Sequence, residues 1–431
     1  MKFFKSENQA IKETLYFGEH KSGLGVFVVP KPGFSKKYAI FGARIGSVDN
    51  TFIPNGGKEP ITVPDGIAHF LEHKMFEQPD GTNAFDKFSQ NGADANAFTS
   101  FTSTCYLFSC TANFENNLEH LLSYVQSPYF TDENVKKEQG IIGQEIRMYD
   151  DDGEWRVMFN LLTALYHNSA VKIDIAGTVE SIANINKDTL YNCYRTFYDP
   201  SNMVLCVCGD VDPKTVGRIV DKVIRPERTG TQAVSIYPDE PETVAKPLVE
   251  QHLSVAMPLF QLGFKDKSGY AGEELLKHEI AARILLRTIA GKSGALYSAL
   301  YKEGLINEAF SYDFMYEPQF SCVLMGGESK DPVLASEKIR AFIDQIEEIT
   351  PEEFERAKKA LRGGYLRAYN DVNAVADMLC RSLLKGVDAF TYLSVLDSVS
   401  PGFVNQKLHT LFQNDAACAL SVVYPKEEGD A

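Results

Sequence analysis

The chain has 431 residues, which is long for one ordinary domain and leads us to expect two or more. Its formal net charge of −15 argues against nucleic acid as a partner, because phosphates select basic surfaces. It contains no run of about 18 apolar residues, so no membrane span is predicted. The N-terminus lacks the apolar core of a signal peptide, and we therefore expect a cytoplasmic protein.

Strand-like and helical segments alternate in the first half of the chain. Residues 24–48 hold two β-rich runs separated by a Pro/Gly/Lys turn, a pattern typical of adjacent strands. Helices are predicted over residues 65–78 and around residues 155–167, and the Thr/Phe/Tyr-rich run 96–112 is strand-like. A long helix is expected over residues 131–149, because this segment opens with a threonine and an aspartate that can cap a helix and continues with acidic residues.

The eight cysteines do not have the spacing of a zinc ribbon. Cys206 and Cys208 alternate along a predicted buried strand, and Cys105 and Cys110 lie in the strand-like run described above. Neither pair has a second pair at a matching distance. We therefore expect buried thiols in a reducing compartment.

The second half of the chain repeats the order of the first. Residues 226–247 are rich in Pro, Thr and charge and lack periodicity, which favours a linker. Strand-like and helical segments then follow in the same order as before. We predict an α+β fold made of two similar α+β halves, a duplicated unit, with an N-terminal domain at 1–225 and a C-terminal domain at 248–431.

The long helix of each half sets the register of the repeat. The segment TPEEFERAKKALRGGYLRAYND, which begins at Thr350, stands opposite TDENVKKEQGIIGQEIRMYDD, which begins at Thr131. Both segments open with a threonine cap and have similar apolar spacing. Gly364 takes the place of Glu145 in this alignment, so any chemistry carried by Glu145 is not expected in the second half.

The five residues HFLEH place two histidines and a glutamate on one face of the predicted helix 65–78. A catalytic zinc site uses three protein ligands and one open position for water. His69 and His73, one helical turn apart, could both direct a ring nitrogen at one ion, and Glu72 could act as the general base. The order of residues is the reverse of HExxH. A polar surface patch without metal is the alternative.

A third ligand has to come from another part of the chain. The predicted helix 131–149 carries Glu138 and Glu145, which are seven residues apart and therefore share a face. Either carboxylate could reach the ion, and both would not be needed. A solvated acidic face is the alternative for this pair.

These motifs carry a resemblance to a known family. HFLEH, then NAFTS at 96–100, then a glutamate at the end of a KEQGIIGQE helix resemble the insulinase/pitrilysin family of inverted-motif zinc peptidases, in its small processing-peptidase-like branch. The resemblance covers nearly the whole chain, and VPDGIAHFLEHKMFE, ANAFTSFTSTCYLFS and KIDIAGTVESI are similar to one bacterial subgroup of predicted zinc proteases. It implies that the two α+β halves form one half of a peptidase clamshell.

The resemblance also implies roles for individual residues. His69, His73 and Glu145 would be the ligands of one Zn²⁺ per chain, and Glu72 would be the catalytic base. Glu138 matches a further acid of the catalytic site outside the ligand set. The resemblance, and not the spacing, selects Glu145 over Glu138.

A substrate-binding strand is implied by the same resemblance. In the family, the segment matching Asn96, Ala97, Phe98 and Thr99 is an exposed edge strand to which a peptide substrate adds through main-chain hydrogen bonds. Such pairing ignores side chains and predicts broad specificity for extended peptides. An ordinary buried strand is the alternative.

The chain departs from the family in its second half. Active homodimeric relatives carry an Arg and a Tyr seven residues apart in a sequence like RxxxGLxY, whereas the matching stretch LYKEGLIN has Leu300 and Asn307 at these positions. Neither side chain can replace a guanidinium or a phenol as an oxyanion donor. We therefore expect a heterodimer with a paralogous partner that supplies the Arg/Tyr pair, with a homodimer as the other possibility.

The expected function is that of a zinc-dependent metalloendopeptidase that cleaves short or unfolded peptides. In a heterodimer the chain would be the catalytic subunit. The alternative is a non-catalytic scaffold or processing subunit of the same fold. Relatives of that kind usually lose the metal ligands, whereas this chain keeps all of them.

Overall fold

The computed structural model describes residues 1–225 and 233–426. The strands in the described part of the chain are β1 (Phe4–Asn8), β2 (Glu13–Glu19), β3 (Gly25–Pro30), β4 (Lys37–Ala43), β5 (Thr51–Ile53), β6 (Ile61–Thr62), β7 (Ala93–Thr99), β8 (Thr104–Cys110), β9 (Met203–Gly209), β10 (Val234–Ser235), β11 (Leu248–Leu253), β12 (Leu259–Lys265), β13 (Ser311–Tyr316), β14 (Ser321–Glu328) and β15 (Cys418–Pro425).

The α-helices of the same part of the chain are α1 (Ile67–Lys74), α2 (Ala84–Gln90), α3 (Phe114–Val125), α4 (Asp132–Asp150), α5 (Gly153–Leu165), α6 (Val179–Ile182), α7 (Lys187–Phe197), α8 (Pro213–Val223), α9 (Gly272–Ile289), α10 (Ala295–Lys302), α11 (Pro332–Asp344), α12 (Pro351–Ala368), α13 (Val372–Leu384), α14 (Tyr392–Ser398) and α15 (Pro401–Phe412). Short 3₁₀ turns lie at Ala170–Lys172, Pro200–Asn202, Ala389–Thr391 and Asp415–Ala417. No helix in the described ranges is both long enough and apolar enough to cross a membrane.

The chain packs as two compact units, each built from separate stretches of sequence. The first unit holds Met1–Gln144, Asp174–Tyr237 and Tyr365–Phe390. The second unit holds the remainder, namely Glu145–Ile173, Pro238–Gly364 and Thr391–Ala431. The division falls inside α4, which is one continuous helix, so Glu145 follows directly on the turns that belong to the first unit.

The main sheet of the first unit has the strand order β1-β2-β3-β9-β4-β8-β7. β3 and β9 run parallel, and the other neighbouring strands are antiparallel. All seven residues of β9 are buried, which is typical of a central strand covered on both faces. Helices α3, α8 and α13 pack on this sheet, and β7 forms one of its edges.

The sheet of the second unit has the order β11-β15-β12-β14-β13. β11 and β15 run parallel and the other pairs are antiparallel, which matches β3-β9-β4-β8-β7 of the first unit strand for strand. The two sets also occur in the same order along the chain. The predicted duplication of one α+β unit is therefore confirmed by the topology.

Each unit contains a helix from the opposite half of the sequence. Helix α5, which follows α4, packs on β12 and β15 of the second unit, and α13, which follows α12, packs on β4 and β9 of the first. The division of the sequence into domains 1–225 and 248–431 stays a prediction. Residues 226–232 of the expected linker lie outside the described residues, and Val234–Ser235 pair with β5 as strand β10.

The strand-like run 96–112 is a hairpin and not one strand. β7 and β8 pair along their whole length, and the turn between them is closed by Ser100, whose amide donates to the carbonyl oxygen of Ser103 at 2.8 Å. A cluster of Ser and Thr residues favours such a turn because the hydroxyls bond to nearby backbone groups. The strand-like character of the run is confirmed, and the sequence does not reveal the turn because it has the same β-prone composition as the two strands.

The long helix predicted over 131–149 is α4, Asp132–Asp150. Thr131 caps it, because the amide of Asn134 donates to the threonine hydroxyl at 3.1 Å. Val135 and Ile142 are buried and fix the face that α4 turns to the protein interior. Glu138 and Glu145 each follow one of these residues by three positions and therefore lie beside the buried face.

Helix α1, which carries the HFLEH motif, begins directly after a glycine. Gly66 precedes α1 with a φ of 86°, and a Cβ there would lie 2.3 Å from the carbonyl oxygen of Ala176. Gly33 has a similar φ of 84°, with nothing within 4 Å of the position that a Cβ would take. The two glycines therefore share the same backbone requirement, and only Gly66 adds a close approach to another backbone segment.

We expect Gly66→Ala to lower the free energy of unfolding by clearly more than Gly33→Ala. Gly33→Ala measures the cost of a left-handed residue alone, about 1–2 kcal/mol. Gly66→Ala adds the displacement of the backbone at Ala176. Urea denaturation of both variants checks this, and equal losses would contradict the steric part of the explanation.

Candidate metal centre

Helix α1 places the two histidines of HFLEH side by side. His69 and His73 are one turn apart, and their ring centroids lie 4.5 Å from each other. Phe70 and Leu71, between them in sequence, are fully buried and anchor the helix in the core. His69 is buried with 9 % of its surface exposed, and the side chain of His73 keeps 26 % exposed.

Helix α4 brings a carboxylate to the two imidazoles. His69, His73 and Glu145 each offer one ligand atom, and these atoms all lie within 4.8 Å of one another. Within the described ranges, no other group of three or more His, Cys, Asp or Glu side chains meets this condition. Glu138 is not a member of the group. The geometry thus distinguishes the two acids of α4 that the spacing left equivalent.

The donor set fits a catalytic zinc ion. Two imidazole nitrogens and one carboxylate oxygen are a known ligand set for such sites, with a fourth position open to water or substrate. Zinc bonds of about 2.0–2.2 Å would bring tetrahedral ligand atoms to roughly 3.3 Å from one another. The observed spacing is near enough for small side-chain rotations to close it.

Glu138 contacts a histidine of this group directly. Its Oε1 lies 3.0 Å from Nδ1 of His73, and its Oε2 lies 3.6 Å from Nζ of Lys74. Burial acts to raise the pKa of Glu138, but the hydrogen bond with His73 and the charges of His73 and Lys74 hold the pKa below its usual value. The carboxylate is therefore ionised and accepts a hydrogen from the imidazole.

The protonation of His69 suits a metal ligand. Burial, with a smaller contribution from the nearby charge of His73, lowers the pKa of His69 to about 3. The imidazole is then neutral at physiological pH and has a lone pair to donate.

Glu72 is buried beside the histidines and is held by the hairpin strand β7. Its exposed fraction is 8 %, and the hydroxyl of Thr99 donates to its Oε2 at 2.7 Å. Two buried phenols, Tyr106 and Tyr198, lie nearby with their oxygens 2.8 Å apart. Burial, with the charge of Glu72 among the lesser causes, raises the pKa of Tyr106 well above its usual value, so this phenol stays protonated.

The four residues predicted to bind substrate lie on edge strand β7 but point in different directions. Asn96 and Ala97 line a cavity of about 560 Å³ that Glu72 and His73 also line. Phe98 packs against the guanidinium of Arg381, 4.9 Å from the ring centroid. Thr99 meets Glu72 as described above. The remaining walls of the cavity include Phe76, Phe85, Ile141, Glu77 and Lys137.

Sequence reasoning missed two side chains at this site. The hydroxyl of Tyr149 donates to Oε1 of Glu145 at 3.0 Å, and its ring stacks on Trp155. Lys74 is completely buried and forms ion pairs with Glu77 and Glu138. The helical spacing of four residues from Glu145 to Tyr149 could have revealed the first. The position of Lys74 directly after His73, with an acid three residues later, could have revealed the second.

The second unit holds no guanidinium or phenol at the two positions where the sequence departs from the family pattern. Leu300 lies on α10 with 1 % exposed, and Asn307 donates from its side-chain amide to Glu328. Both residues thus serve the packing of their own unit.

Two family models match the chain in tandem. Residues 61–179 match the model described as Insulinase (Peptidase family M16), and residues 184–361 match the model described as Peptidase M16 inactive domain. The first range contains the whole group on α1 and α4. The second contains α9, α10 and the sheet strands β11 to β14.

Known proteins similar to this chain include a curated relative and solved structures. The uncharacterized zinc protease YmfH of Bacillus subtilis is 44% identical over 406 residues, covering 91% of this chain and 93% of that protein. An M16-like peptidase from Alicyclobacillus acidocaldarius has a TM-score of 0.92 at 33% identity, with 99% of each chain covered. The periplasmic protease PqqL of Escherichia coli has a TM-score of 0.74 at 17% identity, covering 98% of this chain and 48% of PqqL.

The PqqL likeness concerns the fold alone, and it shows that this chain corresponds in length to about half of such a protein. The family models and the YmfH relative carry the assignment. With its two tandem family domains and a relative this similar over nine-tenths of its length, the chain belongs to peptidase family M16, the insulinase family.

Proposed function

We propose that this protein is a zinc-dependent endopeptidase that binds one Zn²⁺ per chain through His69, His73 and Glu145. The observation that supports this best is the grouping of two imidazole nitrogens and one carboxylate oxygen within 4.8 Å, with Glu72 one residue before His73. Names of relatives agree with it, since YmfH is described as a zinc protease. Bound zinc would polarise the peptide carbonyl and make its water ligand more acidic.

The residues of the site would divide the proton chemistry among them. Glu72 accepts a proton from the attacking water and passes it to the nitrogen of the leaving amine, so the base is regenerated in each cycle. Thr99 donates a hydrogen bond to one oxygen of Glu72 and so orients the carboxylate that would accept the proton. Glu138 accepts the Nδ1 hydrogen of His73 and so fixes the tautomer whose Nε2 carries the lone pair.

The substrate we propose is an extended or unfolded peptide. Strand β7 lies at the edge of its sheet, where Asn96 and Ala97 line the cavity shared with Glu72. A peptide added there as a further strand would be held mainly by main-chain hydrogen bonds, which do not depend on its side chains. Short or unfolded polypeptides can adopt this conformation, whereas folded domains cannot.

We also propose a heterodimer in the cytoplasm. Leu300 has no donor and the side-chain amide of Asn307 donates to Glu328, so a paralogous chain with an Arg and a Tyr at these positions would complete the site. A second copy of this chain is the other candidate partner, and a purely scaffolding subunit is the alternative function. The cytoplasm agrees with the cysteines, all eight of which are buried free thiols.

The wild type should bind nearly one zinc ion per chain. His69→Ala should abolish this binding, because it removes one of three ligands from a buried position. Metal analysis of the purified, dialysed protein measures this. His409→Ala, at an exposed histidine on α15, is the matched control and should keep the zinc content of the wild type. Wild-type protein without zinc, or equal zinc in both variants, would contradict the proposed site.

Glu72→Gln should keep the zinc and lower peptide hydrolysis by about 10²–10⁴-fold, since the amide cannot accept the proton of the water. The assay is the cleavage of a fluorescence-quenched unstructured peptide by the assembly in which the wild type is most active. Metal content measured on the same samples shows that the ligands are intact. Activity within a few-fold of the wild type would rule out Glu72 as the base.

The partner proposal predicts that the purified chain alone is weakly active and that a paralogous M16 chain with the Arg/Tyr pair raises kcat/KM by roughly 10²–10³-fold, the usual value of an oxyanion donor. Light scattering after gel filtration should show a 1:1 complex. Full activity from this chain alone would contradict the heterodimer. Zinc binding without turnover in any combination would instead favour the scaffold.

A further inference from the structure

We propose that Lys74 is a positioning residue for the metal centre. Its buried ammonium group holds the carboxylate of Glu138 against Nδ1 of His73. This inference rests on the proposed zinc site. It adds to that site a residue that acts through Glu138 and not through contact with substrate.

The burial of Lys74 calls for an explanation. Its side chain has 0 % of its surface exposed, although it is the last residue of α1. Removing an ammonium group from water costs several kcal/mol, and a leucine or methionine could fill the same space without that cost. The charge is therefore expected to serve its partners, which are Glu77 and Glu138.

Glu138 links this charge to the histidine. Its Oε2 lies 3.6 Å from Nζ of Lys74, while its Oε1 lies 3.0 Å from Nδ1 of His73. The carboxylate is planar and rigid, so restraining one oxygen also orients the other. Lys74 and His73 are neighbours in sequence on α1, and the two oxygens of Glu138 on α4 contact one side chain each.

Glu77 completes the arrangement on the other side of Lys74. It pairs with Nζ through Oε2, and its side chain is 33 % exposed and lines the cavity that His73 also lines. One ammonium group thus lies between two carboxylates. Without it, Glu77 and Glu138 would face each other as like charges, and Glu138 would lose its only cationic neighbour besides the histidine among the described contacts.

A simple structural ion pair between α1 and α4 is the competing explanation. In that case substituting Lys74 would lower the free energy of unfolding and leave zinc affinity unchanged. In our proposal the effect of Lys74 on zinc passes through the Glu138 carboxylate. The two explanations therefore differ in whether zinc affinity depends on Lys74, and in whether that dependence requires the carboxylate of Glu138.

The experiment is a double-mutant cycle on zinc affinity, measured by competition with a chromogenic chelator. Lys74→Met and Glu138→Gln should each weaken zinc binding by about 10–100-fold, as expected for groups that orient a metal-ligating histidine. The double variant should bind zinc no more weakly than Glu138→Gln alone. Lys74→Arg, which keeps the charge, should remain within a few-fold of the wild type.

Lys31→Met is the matched control. Lys31 is also buried and paired with a carboxylate, that of Glu13, and it contacts the carbonyl oxygen of Tyr369. None of these residues belongs to the group formed by His69, His73 and Glu145. Lys31→Met should therefore lower the free energy of unfolding, measured by urea denaturation, and leave the zinc affinity unchanged.

Zinc affinity unchanged in Lys74→Met, or losses that multiply in the double variant, would overturn the role of Lys74 while leaving the zinc site in place. A wild-type chain that binds no zinc would overturn both. If Lys74→Met does not fold, Glu77→Gln serves instead. It leaves Glu138 as the carboxylate paired with Lys74, so zinc affinity should be kept, and a tenfold loss would contradict the proposal.

Discussion

The convergence of side chains from α1 and α4 is the constraint on which the rest of the site depends. The two helices are far apart in sequence, yet they bring two imidazoles and a carboxylate within 4.8 Å. Polar side chains buried beside a packed core without hydrogen bonds would lower the free energy of unfolding, and the surrounding contacts reduce that cost. Glu138 receives His73, Tyr149 donates to Glu145, and Thr99 donates to Glu72.

Among the residues that the structure describes, the group of His69, His73 and Glu145 lies in the first half of the duplicated fold. The two sheets have the same strand order and directions, and α12 occupies in the second half the place that α4 occupies in the first. Where α4 has Glu145, α12 has Gly364, with nothing near its Cβ position. The family model described as an inactive domain matches residues 184–361, a range that contains none of His69, His73 and Glu145.

Much of the candidate site can be proposed from the sequence because its residue pattern is local. HFLEH puts two potential ligands and a potential base on one helical face, and helical periodicity needs no tertiary information. Helical periodicity alone does not decide whether Glu138 or Glu145 is the third ligand. Both lie on one face of α4, so spacing does not separate them. The family resemblance selects Glu145, and the packing of α4 places Glu138 against His73 Nδ1 and Glu145 beside the two imidazoles.

The parts that could not be predicted are those set by long-range packing. Apolar spacing marks α5 and α13 as helices but does not say that each packs on the sheet of the other half of the sequence. The hairpin turn at Ser100–Ser103 was hidden because its residues are as β-prone as the strands it joins. Lys74 escaped notice because a lysine at the end of a helix is usually solvated, and only the fold buries it.

X-ray absorption spectroscopy at the zinc edge tests the central claim most directly. We expect a first shell of nitrogen and oxygen at about 2.0–2.1 Å with the multiple scattering of two imidazoles. A shell containing sulfur at about 2.3 Å, or one without the multiple scattering of two imidazoles, would contradict the proposed site, because the ion would then be held by other residues.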